Sequence, residues 1–200
     1  MYDWRKMTAQ ERERTLAIRN YRNLPRHSPP HFDFAGTHCY LISAACYDHL
    51  PVIGKEAERM TECERETLHI YGEFCLSTYA WCILPNHYHA LVKTDRVKTL
   101  RHALGKFHGR SSFSWNAEDN CRGRKVWHNC FERQIKSERH FWATMNYVHH
   151  NPVHHGCIDR WQDWPWSSAS EFLKQAGRER ALEVWLNYPI LDYGKKWDLS

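Results

Sequence analysis

The dipeptide Pro85-Asn86 separates two apolar, strand-like runs, CLSTYAWCIL before it and HYHALVKTD after it. Proline lacks a backbone N–H and asparagine suits turn geometry, so the two runs read as neighbouring strands joined by a tight turn. The other segments fall into order around this turn. Residues 37–49 (THCYLISAACYDH) are rich in β-branched, aromatic and small apolar residues and read as a first strand. Residues 56–72 interleave charges with Met60, Leu68 and Ile70 and end on Gly72, the pattern of a helix with a glycine stop. A basic helix follows (97–115), then a fourth strand (126–137), then a third helix (138–151) closed by Pro152. The order β-α-β-β-α-β, then α, predicts an α+β fold: the ferredoxin-like split β-α-β, an antiparallel sheet with helices on one face.

Two flanking segments lie outside this unit. Residues 1–33 read as an N-terminal helical extension and linker. Its helix starts at Thr8, which has Glu11 three residues on as a capping box, and it is broken by the three prolines of LPRHSPPHFD. Residues 34–170 read as the main domain, ending in the aromatic stretch WQDWPWSS, and 171–200 as a C-terminal tail with a helix from Glu171. No apolar run approaches the roughly 18 residues that span a bilayer, and the charged N-terminus lacks a signal-peptide core, so a cytoplasmic protein without a membrane partner is expected. None of the eight cysteines forms a C-x-x-C pair, which excludes the usual zinc spacing; they read as small buried hydrophobes. A net charge of +5 and ten tryptophans suit a nucleic-acid partner, but they suit a mildly basic globular protein as well.

His87 and His89 stand one residue apart. Residues i and i+2 of a strand share a face, so the two imidazoles project together while Tyr88 joins Ala90 and Val92 on the other side. With 15 histidines in 200 residues, about one such pair arises by chance, and two ligands make a poor metal site without a third. The third helix offers candidates. Phe141, Met145 and Val148 form its core stripe, and Thr144, Tyr147 and Asn151 lie on the adjacent face. Tyr147 and Asn151 are one turn apart. The amide oxygen of Asn151, at a helix end before Pro152, suits a hard cation.

LPNHYHALV and, about sixty residues later, YVHHNPVHHG together resemble the HUH (histidine–hydrophobic–histidine) single-tyrosine transposases of the insertion-sequence type, in particular the REP-associated branch. The resemblance runs over roughly residues 34–170 and includes the DWPWSS segment. It implies that His87 and His89 are metal ligands, that Asn151 completes the coordination of Mg²⁺ or Mn²⁺, and that Tyr147 is the nucleophile. Tyr88 fills the hydrophobic slot with a bulkier, more polar side chain than the usual aliphatic. The implied reaction is nicking and strand transfer on single-stranded DNA carrying a hairpin, through a 5′-phosphotyrosine link. The protein would be a monomer or homodimer associated with the nucleoid.

Charge supports a DNA partner. Lys98, Arg101, Lys106 and Arg110 line the basic helix, and Arg122, Arg124 and Lys125 follow in the next loop, where they would position phosphates. Trp115, Trp127 and His128 are candidates for stacking on unpaired bases, and His149, His150, His154 and His155 read as solvated or close to DNA. Glu118 and Asp119 interrupt the basic run. Two rival readings remain at this point: a hairpin-binding relative that no longer cuts, and an unrelated metal hydrolase that would recruit Asp95 to the histidine pair.

Overall fold

The computed structural model describes residues 7–22, 35–191 and 193, so the proline-rich break at 24–33 lies outside the described residues. The elements are α1 (Ala9–Tyr21), β1 (His38–Ala45), α2 (Ala57–Phe74), β2 (Ser77–Ile83), β3 (His87–Thr94), α3 (Val97–Glu118), β4 (Phe131–Gln134), α4 (Glu138–His154) and α5 (Ala169–Asn187). Thr8 and Glu11 close the expected capping box at the start of α1, none of whose residues is buried.

One antiparallel sheet has the order β2-β3-β1-β4, the split β-α-β arrangement. The period of two sorts its side chains. Tyr40, Ile42 and Ala44 of β1 join Tyr88, Ala90 and Val92 of β3 in a core completed by Met60, Cys63 and Tyr71 of α2 and Leu100, Leu104, Phe107 and Trp115 of α3. The crossover helices α2 and α3 thus share one face, as the topology requires. Leu41 and Leu91 point the other way, into a second core with Ala80, Cys82, Met145, Tyr147 and Val148. The added helix α4 therefore covers the opposite face, and β3 is buried on both sides along nearly its whole length.

Gly72 does not stop the second element, since α2 runs through it to Phe74, and α3 runs past Trp115 to Glu118. Three further boundaries differ from the sequence reading, each for a local reason. The expected fourth strand, 126–137, keeps only Phe131–Gln134 as a ladder, with a single bridge from Trp127 to Cys46 upstream. Between Ser43↔Phe131 and Cys46↔Trp127, two residues of β1 face three of the partner, so a bulge interrupts the pairing. The first strand stops at Ala45, because residues 47–49 turn with φ of 59° at Asp48 and 55° at His49. The third helix does not stop before Pro152: Asn151 and Pro152 are both buried within it, and the His155 N–H donates to the Asn151 carbonyl at 3.0 Å. Here packing outweighs the usual pre-proline bias.

Trp115 and Trp127 are core residues and offer no face to a base. Trp115 is fully buried and its Nε1–H donates to Glu62. Trp127 stacks on His108 with centroids 4.2 Å apart. Five charged groups also meet at this end of the fold. Arg59, itself buried, pairs with Glu118 and Asp119, and Lys55 and Arg124 pair with Asp119 as well. Hydrogen bonding from the Arg59 guanidinium, then from Lys55 and Arg124, holds the Asp119 carboxyl well below its ordinary range.

Two outcomes follow from this packing. Trp115→Ala is expected to lose about 3–5 kcal/mol of stability in urea denaturation, as large-to-small changes of buried aromatics do. Loss of DNA binding with unchanged stability would contradict its place in the core. Burial also holds His108 down to about 3 from 6.5, so its neutral form favours the folded state. That contribution is present above pH 6.5 and is lost as pH falls toward 3. His108→Gln should therefore flatten the fall of the urea midpoint between about pH 6.5 and 4.

Candidate active site

The register of β1 and β3 sets Ser43 opposite His89 and Ala45 opposite His87. All four lie on the face that α4 covers. Ser43 Oγ and His89 Nδ1 are 2.6 Å apart, and the Nε2 of that ring shares a 3.0 Å hydrogen bond with the Tyr147 hydroxyl. His87 is held in parallel fashion: its Nδ1 is 2.6 Å from Asn86 Oδ1 and its Nε2 is 2.9 Å from Asn151 Oδ1. The two imidazoles stand 4.9 Å apart at 71°. All four side chains named as nucleophile or ligands thus converge within one chain, and each is at most 4% exposed. The i, i+4 spacing of Tyr147 and Asn151 gives each imidazole its own partner on α4.

The donors of His87 can be assigned. The Asn86 Nδ2–H donates to the His49 carbonyl at 3.2 Å, so its Oδ1 is the atom that faces His87. An amide oxygen only accepts, which puts a proton on Nδ1 and leaves Nε2 of the neutral ring as a lone pair. That lone pair faces another acceptor, Asn151 Oδ1, at 2.9 Å. Two acceptors cannot share a hydrogen bond, so this contact is met by a cation between them, by a second proton on His87, or by a half-turn of the Asn151 amide that brings its NH₂ to Nε2. Neighbouring ligands of an octahedral ion with bonds of ~2.1 Å lie ~3 Å apart, so the spacing suits a shared divalent ion. Among the described residues no three His, Cys, Asp or Glu side chains gather to hold a metal, so the third protein donor would be the Asn151 amide. Asp95 is excluded as that donor. It lies past the far end of β3, eight residues from His87, or roughly 25 Å along the strand, and it pairs with Arg96.

Two neighbours of the site were not legible in sequence. Tyr193 lies with its ring 5.1 Å from that of Tyr147. Lys136 N–H donates to His140 Nδ1, so the Nε2–H of His140 donates to the Tyr193 oxygen at 3.1 Å. Thr144 donates to the His140 carbonyl, so the Tyr193 O–H donates to Thr144 at 2.7 Å. His155, at the C-cap of α4, packs edge-on against His87 at 4.8 Å.

The remaining histidines divide. His149 is neither solvated nor near a ligand surface: it is buried beside Ser168 and Trp161, and burial lowers its pKa to about 3. His150 is half-buried against Trp185, and His154 is exposed. The basic candidates lie away from the histidine pair. Lys98, Arg101, Lys106 and Arg110 are on α3, which packs on the other face of the sheet. Arg101 pairs with Glu132, Arg110 with Glu66 and Arg124 with Asp119. Lys98 and Lys106 are exposed. Arg122 lies over Phe113, and Lys125 lies over Tyr47, whose ring stacks on His128.

Fold and site together resemble the HUH single-tyrosine class of transposases. Comparison with known proteins narrows the likeness. No family model matches the chain. A protein of Haemophilus influenzae strain Rd, described as a candidate REP-associated tyrosine transposase, is 27% identical over 147 residues, covering 66% of this chain and 81% of that one. A solved structure of the REP-associated tyrosine transposase bound to a REP hairpin superposes with a TM-score of 0.56 at 17% identity, covering 86% of this chain and 92% of that one. The chain is thus similar to the REP-associated tyrosine transposases in sequence and in fold.

Removing the Tyr147 hydroxyl deletes its buried hydrogen bond to His89 and leaves the ring in place. Tyr147→Phe is expected to fold as the wild type and to lose only about 1 kcal/mol in chemical denaturation. A loss several times larger would mean that the hydroxyl holds the fold rather than awaits a reaction.

Proposed function

We propose that this chain nicks single-stranded DNA beside a hairpin and transfers the strand through a 5′-phosphotyrosine link on Tyr147. The observation that carries the reading is the convergence of Tyr147, His87, His89 and Asn151 in one chain. The likeness to proteins described as REP-associated tyrosine transposases, one of them bound to a REP hairpin, supports it.

A phenol ordinarily titrates near 10 and is a weak nucleophile at neutral pH, so the phosphate must be made a better electrophile. His87, His89 and Asn151 would hold a divalent cation, Mg²⁺ or Mn²⁺, which when bound polarises a phosphoryl oxygen and stabilises the departing one. Paired imidazoles favour Mn²⁺ over Mg²⁺ in affinity. The residues of the chain do the rest. His89 Nε2, which now bonds the Tyr147 hydroxyl, would be a ligand when the ion is held, and the hydroxyl would then be free to turn toward phosphorus. The phenol gives up its proton, its oxygen attacks phosphorus, the P–O3′ bond breaks, and the departing 3′ oxygen takes up a proton. The covalent link conserves the phosphodiester for rejoining, so no external energy source is required. Tyr147 is 3% exposed, so an entering phosphate has to displace part of its cover, of which Tyr193 is one member.

The exposed cations Lys98, Lys106, Arg122 and Lys125 would contact the DNA backbone. Arg101, Arg110 and Arg124 would do so only by leaving carboxylate partners.

The test is direct. The protein incubated with hairpin-bearing single-stranded DNA and Mn²⁺ should form a covalent adduct that resists denaturation, and Tyr147→Phe should abolish it. Binding without an adduct, unaltered by Tyr147→Phe, is the behaviour of a hairpin-binding relative that no longer cuts. Free cleaved product without an adduct would point to hydrolysis instead.

A further inference from the structure

We infer that Asn86 is the positioning residue that locks His87 as its Nδ1–H tautomer and so presents Nε2 to the site. The chain of contacts runs through three residues. The Asn86 Nδ2–H is committed to the His49 carbonyl, its Oδ1 is committed to His87 Nδ1, and His87 Nε2 faces Asn151. Rotating the amide by half a turn would set its NH₂ against Nδ1 and its oxygen against a carbonyl, so one contact fixes the other. A metal-binding imidazole works in this way: an acceptor on one nitrogen fixes the tautomer and ring orientation, and raises the basicity of the other.

The backbone around Asn86 is built to keep it in place. Asp48 and His49 both hold left-handed φ angles, a costly conformation for residues with side chains, and this turn aims the His49 carbonyl at the amide. The Cys46 N–H donates to the Asn86 carbonyl at 2.7 Å, and the Gly54 N–H donates to that of Pro85 at 2.9 Å. Gly54 packs so tightly on Pro85 that a Cβ there would collide with the ring. The turn that joins β2 to β3 is therefore clamped from one side by residues 46–54, and the clamp ends on the ring nitrogen of His87. Its consequence for metal rests on reading His87 as a ligand. The tautomer itself does not.

Nitrogen-15 NMR of imidazole-labelled protein, without metal at about pH 8, distinguishes a protonated from an unprotonated ring nitrogen. The wild type should show His87 protonated at Nδ1 and bare at Nε2. Asn86→Leu should mix the tautomers and weaken Mn²⁺ binding, followed by electron paramagnetic resonance, about 10- to 100-fold. Asn86→Asp restores an acceptor at Nδ1 and should return the tautomer. A wild-type ring protonated at Nε2 would overturn the inference, and so would an Asn86→Leu protein unchanged in both readouts. The wild-type spectrum decides even if Asn86→Leu does not fold. An Nδ1–H ring in a protein that binds no Mn²⁺ would sink the metal reading and uphold the positioning.

Discussion

The register of β1 against β3 is the constraint on which the site depends. With Ser43 opposite His89 and Ala45 opposite His87, both imidazoles fall on the face that receives α4. A slip of one residue would send them to the face packed by α2 and α3 and bring Tyr88 to the site. That slip is opposed on both sides at once. Tyr88 is fully buried, bonded to His108 and set edge-on to Trp127, while Leu41 and Leu91 are fully buried in the other core. The hydrophobic slot of the motif is thus a structural anchor. Its aromatic occupant reaches a buried histidine that an aliphatic side chain would leave without that partner.

The second dependence runs through the edge of the sheet. β2 is an edge strand and would expose unpaired backbone groups. The DWPWSS segment covers it: Ile83 N–H donates to the Trp166 carbonyl, Ser168 N–H donates to that of Trp81, and Trp164 Nε1–H donates to that of Ile83. The same serine hydroxyl reaches His149 of α4. One short aromatic stretch therefore closes the sheet and ties the helix carrying Tyr147 to it. α5 adds to this hold, since Asn146 of α4 donates to the carbonyls of Val184 and Tyr188. Tyr147, on a helix pinned at several points, keeps its distance from the imidazoles without relying on a loop.

What was legible in the sequence was periodic and local. A period of two placed His87 and His89 together, a spacing of four placed Tyr147 beside Asn151, and the proline-asparagine turn joined two strands. What was hidden needed partners distant in the chain. Trp115 and Trp127 look in sequence like surface aromatics for bases, and only the packing of α3 under the sheet makes them core. Arg101, Arg110 and Arg124 look like phosphate contacts until Glu132, Glu66 and Asp119 are found beside them. Tyr193 lies 46 residues beyond Tyr147, in a tail with no pattern of its own, and no local signal could have placed its ring there. Asn86 was read as a turn residue, which it is; its second role appears only when its amide is seen between His49 and His87.

The hydrogen bonds of the site describe a resting state that stores its own instruction. Each Nε2 atom has a partner on α4: His89 has the hydroxyl of Tyr147 and His87 the amide oxygen of Asn151. The two partnerships are not equivalent. A phenol and an imidazole satisfy one another with a single proton between them, whereas an amide oxygen facing a bare ring nitrogen at 2.9 Å needs a proton, a cation or a turned amide to complete the contact. A cation held by His87, His89 and Asn151, as proposed, would relieve the second contact and displace the first. On the proposed function, readiness of Tyr147 would then be coupled to occupancy of the site without any movement of the backbone.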